Sequence, residues 1–209
     1  MSPEERPDGG VFEDGARSER RKSEQVDRAG RPRMTDLGGR PATSHRAVAE
    51  AEVAVSQETL SAIVDGTTPR GDVLGVAELA GVMAAKRTAE LIPLAHSASL
   101  TELLVKATPE RGTGLVRIRA ETAAVGPAGV EMEALTAAAI AALTLYDMIR
   151  DIDRSAWVGA VRLVFASEGR AEPWQRPEDA PHRRPPAGAR GAGRISSAPQ
   201  RGRQQPPRR

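Results

Sequence analysis

The run GVEMEALTAAAIAALTLYDMIRDIDR, from Gly129 to Arg154, constrains the fold most. It reads as one continuous small-residue helix, and alanine at so many positions lets another backbone approach closely. Glu131 and Glu133 come just after the turn-forming Gly126-Pro127-Ala128-Gly129, which sets their carboxylates in the positive field of a helix N-terminus. Asp147 lies inside the helix, where a polar Tyr146-Asp147 pair has to be compensated by packing or by function. Acidic groups converging on a shielded pocket suit proton transfer. The plainer readings are that the two glutamates only satisfy the helix dipole and that Asp147 is a buried, mainly structural partner of an arginine such as Arg150 one turn on.

Charge and proline content divide the chain of 209 residues into a core and two ends. Residues 1–33 hold eight acidic and eight basic side chains with almost no apolar periodicity, and residues 171–209 hold nine arginines, three acids and eight prolines. Both ends are expected to be disordered. Residues 34–170 carry thirteen basic and seventeen acidic groups, so the domain itself is mildly acidic and specific nucleic-acid binding is not expected. The basic tail reads as a solvated proline-rich extension. Without cysteine there is no disulfide framework or thiolate metal site, and the three histidines lack ligand spacing, so no metal is expected. The charged N-terminus has no signal-like apolar stretch, and no segment reaches the roughly 18 uninterrupted apolar residues of a membrane span, so the expected location is the cytoplasm.

Within residues 34–170 the periodicity changes in an ordered way. His45 to Val55 alternates as a strand, with Ala47, Ala49, Ala51, Val53 and Val55 on one side and Glu50 and Glu52 on the other. Ser56 caps a short helix through Asp65 that Gly66 ends, and Asp72 caps a second helix running to about Glu90 before Pro93. The tripeptide Arg70-Gly71-Asp72 is this helix start; its likeness to a cell-adhesion motif has no secretion signal behind it. Glu102–Ala107 and Leu115–Thr122 read as strands around a turn-rich Pro109–Gly114, the long helix follows, and Trp157–Phe165 is a last strand. This order is α+β: a ferredoxin-like split βαβ arrangement with an extra helix.

Several blocks then become recognisable together. Arg70-Gly71-Asp72-Val73, GVMAAKRTAELIPLAHS from Gly81 to Ser97, GVEMEALTAA, LTLYDM and GAVRLV, in that order, resemble the cyclic pyranopterin monophosphate synthase family, the C proteins of molybdenum cofactor biosynthesis. The resemblance spans essentially all of residues 34–170, and several blocks in order are far more specific than a lone motif. It implies a ferredoxin-like subunit in a hexamer built as a trimer of dimers, with pockets at subunit interfaces. It also implies conversion of a cyclised dihydro-GTP to cyclic pyranopterin monophosphate with loss of pyrophosphate, and no cofactor.

By the same resemblance, Asp147 of LTLYDM is the catalytic aspartate, Leu94, Ala95 and His96 form one substrate-binding segment, and Met132 and Glu133, beside Glu131, form another. A lone His96 after a proline-ended helix would otherwise read as structural. Lys86 stands where the family keeps cations near the nucleotide, and Arg46, Arg70, Lys86 and Arg150 are the candidates for holding the triphosphate. Arg70 and Arg150 stand at positions that are ordinarily catalytic lysines in the family, and Ala95 and Ser97 stand for its usual Cys and Pro. A guanidinium keeps its charge for phosphate but cannot cycle as acid and base. A second reading follows from that: a catalytically impaired relative that binds a purine nucleotide or pterin, or assembles with an active homologue.

Overall fold

The computed structural model describes residues 26, 27 and 29–177. Most of the two expected disordered extensions lies outside the described residues. The elements are β1 (Thr43–Ala54), α1 (Gln57–Val64), α2 (Val73–Ala85), α3 (Thr88–Leu91), β2 (Leu100–Glu110), β3 (Leu115–Gly126), α4 (Glu131–Ile149), β4 (Trp157–Glu168) and β5 (Trp174–Gln175). All neighbouring strands are antiparallel, in the order β2-β3-β1-β4-β5. Because β3 separates β1 from β2, the helices between them form a crossover, and α4 forms the other. This is the ferredoxin-like arrangement expected from the order of periodicities.

The alternation along β1 decides what each sheet face carries. Ala47, Ala49, Ala51 and Val53 are fully buried and pack with Val116, Ile118 and Ala120 of β3 against Ala134, Ala137, Ala138, Ala141, Ala142 and Leu145 of α4. Small side chains here shorten the distance between layers. At Gly81 of α2, a β-carbon would stand 2.9 Å from the Ala137 carbonyl oxygen and 3.2 Å from the Ala141 β-carbon, so the α2–α4 contact is backbone against backbone. By length and composition α4 alone among the described helices could cross a membrane, but half of that stretch is buried inside the fold.

The other sheet face is a lattice of opposite charges. Glu50 accepts from Arg119 at 3.1 Å and Arg162 at 3.2 Å, and Glu52 accepts from Arg117 at 3.0 Å and Arg162 at 2.9 Å. Glu110 holds Arg117 at 2.7 Å, while Glu121 receives Arg119 at 3.0 Å and Arg46 at 2.6 Å. Cross-strand neighbours of opposite sign are what the alternation of Glu50 and Glu52 with Arg117 and Arg119 produces once β1 and β3 pair in this register.

Several boundaries differ from the sequence reading. The expected helix to Glu90 breaks after Ala85, because the Thr88 hydroxyl, almost fully buried, donates toward the carbonyls of Ala84 and Ala85 and takes over the end of the ladder. The strands expected at 102–107 and 157–165 extend to Glu110 and Glu168; Pro109 is tolerated because β2 is an edge strand. Past the expected boundary at 170, Trp174 and Gln175 pair with Ala166 and Phe165. Two residues within a proline- and arginine-rich stretch carry no readable period.

Ser56 caps α1 as expected, its hydroxyl accepting the Thr59 N–H at 3.1 Å. Its own N–H goes to Asp153, 2.7 Å away across the fold, and Asp153 also accepts from the Ser155 hydroxyl at 2.7 Å. Burial by itself would raise the Asp153 carboxyl; these donors outweigh it and hold the carboxyl down at about 2.

Candidate functional site

A cleft of about 470 Å³ opens at the end of the sheet where β1, β3 and β4 meet the start of α4. Its wall combines segments far apart in sequence: Leu94, Ala95 and His96 after α3, the Pro127–Gly129 turn, Glu131, Met132 and Glu133 of α4, and His45 and Glu168 of the paired strands. Thr35, Leu37 and Arg40 of the leading segment close one side. The His96 ring Nε2 lies 2.7 Å from the Thr35 carbonyl oxygen, which can only accept, so the ring donates there and ties that segment to the cleft. A smaller hollow of about 240 Å³ continues past His96 along Ser97–Ser99 and Ala124–Ala128.

The two glutamates of α4 stand in different environments. Glu133 is buried, and burial, with the charge of Glu131 as a smaller contribution, raises its carboxyl above the ordinary value against the opposing pull of its own backbone N–H. A carboxyl raised in this way inside a cleft is suited to giving and taking a proton.

A second group assembles at the other end of α4. The Asp147 carboxylate forms ion pairs with Arg150 Nε at 3.0 Å and with Arg70 Nη1 at 3.5 Å, and Arg70 Nη2 donates to Asp151. These side chains are between 36 % and 62 % exposed. Arg70 arrives there from the turn that Asp72 closes as the cap of α2, so the helix start and the α2–α4 contact together set its reach. The plain reading of Asp147 as an ion-pair partner of Arg150 is met, with Arg70 as a second cation, but the pair is exposed and not buried.

The expectation that Glu131, Glu133 and Asp147 converge on one shielded pocket is not met within one chain. Fourteen residues separate Glu133 from Asp147 on α4, which at about 1.5 Å per residue is roughly 21 Å, too far for one nucleotide-sized ligand to bridge easily. Arg46 is placed elsewhere: adjacent strand residues face opposite ways, so His45 enters the cleft while Arg46 lies on the charged sheet face against Glu121. Lys86 is the exposed cap at the end of α2 and is not in the cleft wall. Sequence reasoning missed His45, Arg40 and Glu168 as cleft residues. The signal for His45 was available, since it shares the parity of Ala47 and Ala49. For Glu168 it was not, because a bulge shifts the β1–β4 register between Val48 and Ala49. Among the described residues no three His, Asp or Glu side chains converge in a way that could hold a metal ion.

The sequence model of the MoaC family matches residues 34–169. The chain belongs to the MoaC family. Among curated proteins it is 48% identical over 152 residues to a cyclic pyranopterin monophosphate synthase of Chloroflexus aurantiacus, covering 73% of this chain and 93% of the relative. A protein of the same name from Roseiflexus is 49% identical over 146 residues, 70% of this chain and 92% of the relative. One from Brucella ovis is 44% identical over 149 residues, 71% and 90% respectively. The MoaC match ends one residue after Glu168 of the cleft and contains both groups of site residues.

Proposed function

We propose that this MoaC-family chain is a lyase of molybdenum cofactor biosynthesis, converting cyclised dihydro-GTP to cyclic pyranopterin monophosphate with release of pyrophosphate. The observation that carries the reading is that the two motif-matched segments, Leu94–His96 and Glu131–Glu133, thirty-odd residues apart in sequence, line one cleft. Closing a cyclic monophosphate from a triphosphate requires a hydroxyl to attack the α-phosphorus, a base to take its proton, and cations to hold the departing pyrophosphate. His96 and the raised carboxyl of Glu133 suit proton handling around the base end of such a substrate. Asp147 with Arg70 and Arg150 suits the phosphate end, where fork-shaped guanidinium groups pair with phosphate oxygens.

Because these two groups sit at opposite ends of α4, the same reading takes the complete site to be shared between subunits, in a homohexamer arranged as a trimer of dimers in the cytoplasm. Apolar side chains on the outer faces of the helix layer support assembly: Leu79 is 61% exposed and Leu143 54% exposed, with Val76 and Met83 also open. Incubating the full chain with cyclised dihydro-GTP, assaying both pyrophosphate and the pterin, and weighing the assembly by light scattering tests the proposal. Neither product formed by a hexamer would exclude the lyase; a monomer that turns over would exclude the shared site.

The arginines favour one second reading, a relative that binds the nucleotide or pterin but has lost the acid–base work of its two lysine positions, or that lends half-sites to an active homologue. Binding of the substrate without product in the same assay is its signature.

A further inference from the structure

Asp151 belongs to none of the motif blocks, yet it is the partner that the Arg70 guanidinium meets most closely. The outer edge of the Arg70 fork faces two carboxylates, Nη2 donating to Asp151 and Nη1 lying 3.5 Å from Asp147. Two oxygens spread across one guanidinium edge are also what a phosphate presents. Asp147 has a second cation in Arg150, 3.0 Å away, so the charge of Asp147 is answered without Arg70. Asp151 is 62 % exposed, and an exposed ion pair is worth only about 0–1 kcal/mol, so an arriving polyanion can displace it cheaply.

We propose that Asp151 is a positioning residue that stands in for a phosphate: it holds Arg70 extended beside Asp147 in the resting site and yields the guanidinium to the β- or γ-phosphate of the substrate and to the departing pyrophosphate. The four side chains Arg70, Asp147, Arg150 and Asp151 sum to zero charge, so the resting cluster attracts small monovalent anions weakly. A polyphosphate, which engages both arginines at once, exchanges for the Asp151 carboxylate. Asp151 therefore lowers affinity for every anion by one opposing charge, and eases release of pyrophosphate. The inference rests on the reading that Arg70 binds phosphate.

The test is titration calorimetry of inorganic pyrophosphate into the full-length parent and the Asp151→Asn, Asp151→Ala and Asp151→Glu variants, with product inhibition by pyrophosphate in parallel. Loss of the opposing charge should tighten pyrophosphate about three- to fivefold in the Asn and Ala variants, the scale of one exposed ion pair, and leave the Glu variant near the parent. The salt dependence of binding should steepen in the same two variants, a change that a purely structural role would not produce. Assembly size and Tm serve as controls, because an exposed pair is not needed for folding. Equal or weaker pyrophosphate affinity in both neutral variants, with binding intact in the parent, would overturn the role of Asp151 alone. No pyrophosphate binding by parent or variants would overturn the phosphate reading of Arg70 and this inference with it.

Discussion

Arg70, one residue before a glycine turn at the head of α2, reaches the carboxylate of Asp147 on α4 at 3.5 Å. Two residues 77 positions apart are joined because α2 and α4 pack backbone to backbone through Gly81, Ala137 and Ala141. The reach of Arg70 therefore depends on how closely the helices approach, and the cation cluster is coupled to the core.

The coupling can be measured at Gly81. Gly81→Ala forces a β-carbon to 2.9 Å from both the Ala137 carbonyl and a Val105 methyl, so one helix must move out. The variant should lose about 1–3 kcal/mol of stability by overpacking, read as a lower denaturation midpoint, and pyrophosphate binding at Arg70 should weaken with it. Unchanged stability would mean that the layers have slack here.

Asp147→Asn is nearly isosteric and removes a carboxylate able to accept a proton. Assembly and Tm should hold, because the side chain is exposed and its ion pairs are worth little, while turnover falls by roughly 10² to 10⁴. Turnover like the parent's would leave Asp147 a structural ion-pair partner.

For the arginines the expectation is a gain. Guanidinium holds phosphate but offers no transferable proton at neutral pH, so the Arg70→Lys, Arg150→Lys double variant should turn over cyclised dihydro-GTP faster than the parent, by about tenfold or more, with similar pyrophosphate affinity. Each single variant should gain less, since groups acting as a unit are not additive. A double variant slower than the parent would show that arginine does the work at both positions.

Glu133→Gln separates stability from function. The folded-state carboxyl is raised by burial, so its stabilising contribution is present at acid pH and is lost as pH rises through the raised value. At pH 7 the glutamine variant should be as stable as the parent or more so, with the difference vanishing below about pH 4, the ordinary carboxylate range. Turnover should drop. A Tm difference that grows on acidification would contradict the burial argument.

Asp153 carries the opposite sign. Its carboxyl is depressed to about 2, so the stability it contributes is present above the ordinary aspartate value and drains away as pH falls toward 2. Asp153→Asn should cost on the order of 2 kcal/mol at pH 7 and progressively less between about pH 4 and pH 2, in urea titrations at several pH values.

What the chain determined by itself is local and periodic. The alternation from Ala47 to Val53, the caps Ser56 and Asp72 and the alanine-rich stretch from Ala134 to Ala142 each state an element within a few residues, because parity and capping need only near neighbours. The order of those elements, together with the motif blocks, was enough for the ferredoxin-like class and for membership of the family. The assembly of the site was a different matter. Leu94–His96 and Glu131–Glu133 come together because an antiparallel sheet returns its strand ends to one edge; that edge also receives His45, whose parity with Ala47 and Ala49 is readable, and Glu168, through a bulged register that no short-range pattern reveals. Tertiary structure alone paired Arg46 with Glu121 of the neighbouring strand and left Asp147 out of the cleft that Glu133 lines. It also gave Asp151 its hold on Arg70, a contact across 81 positions, because the spacing between two packed helices is a property of their side-chain volumes summed over the whole interface.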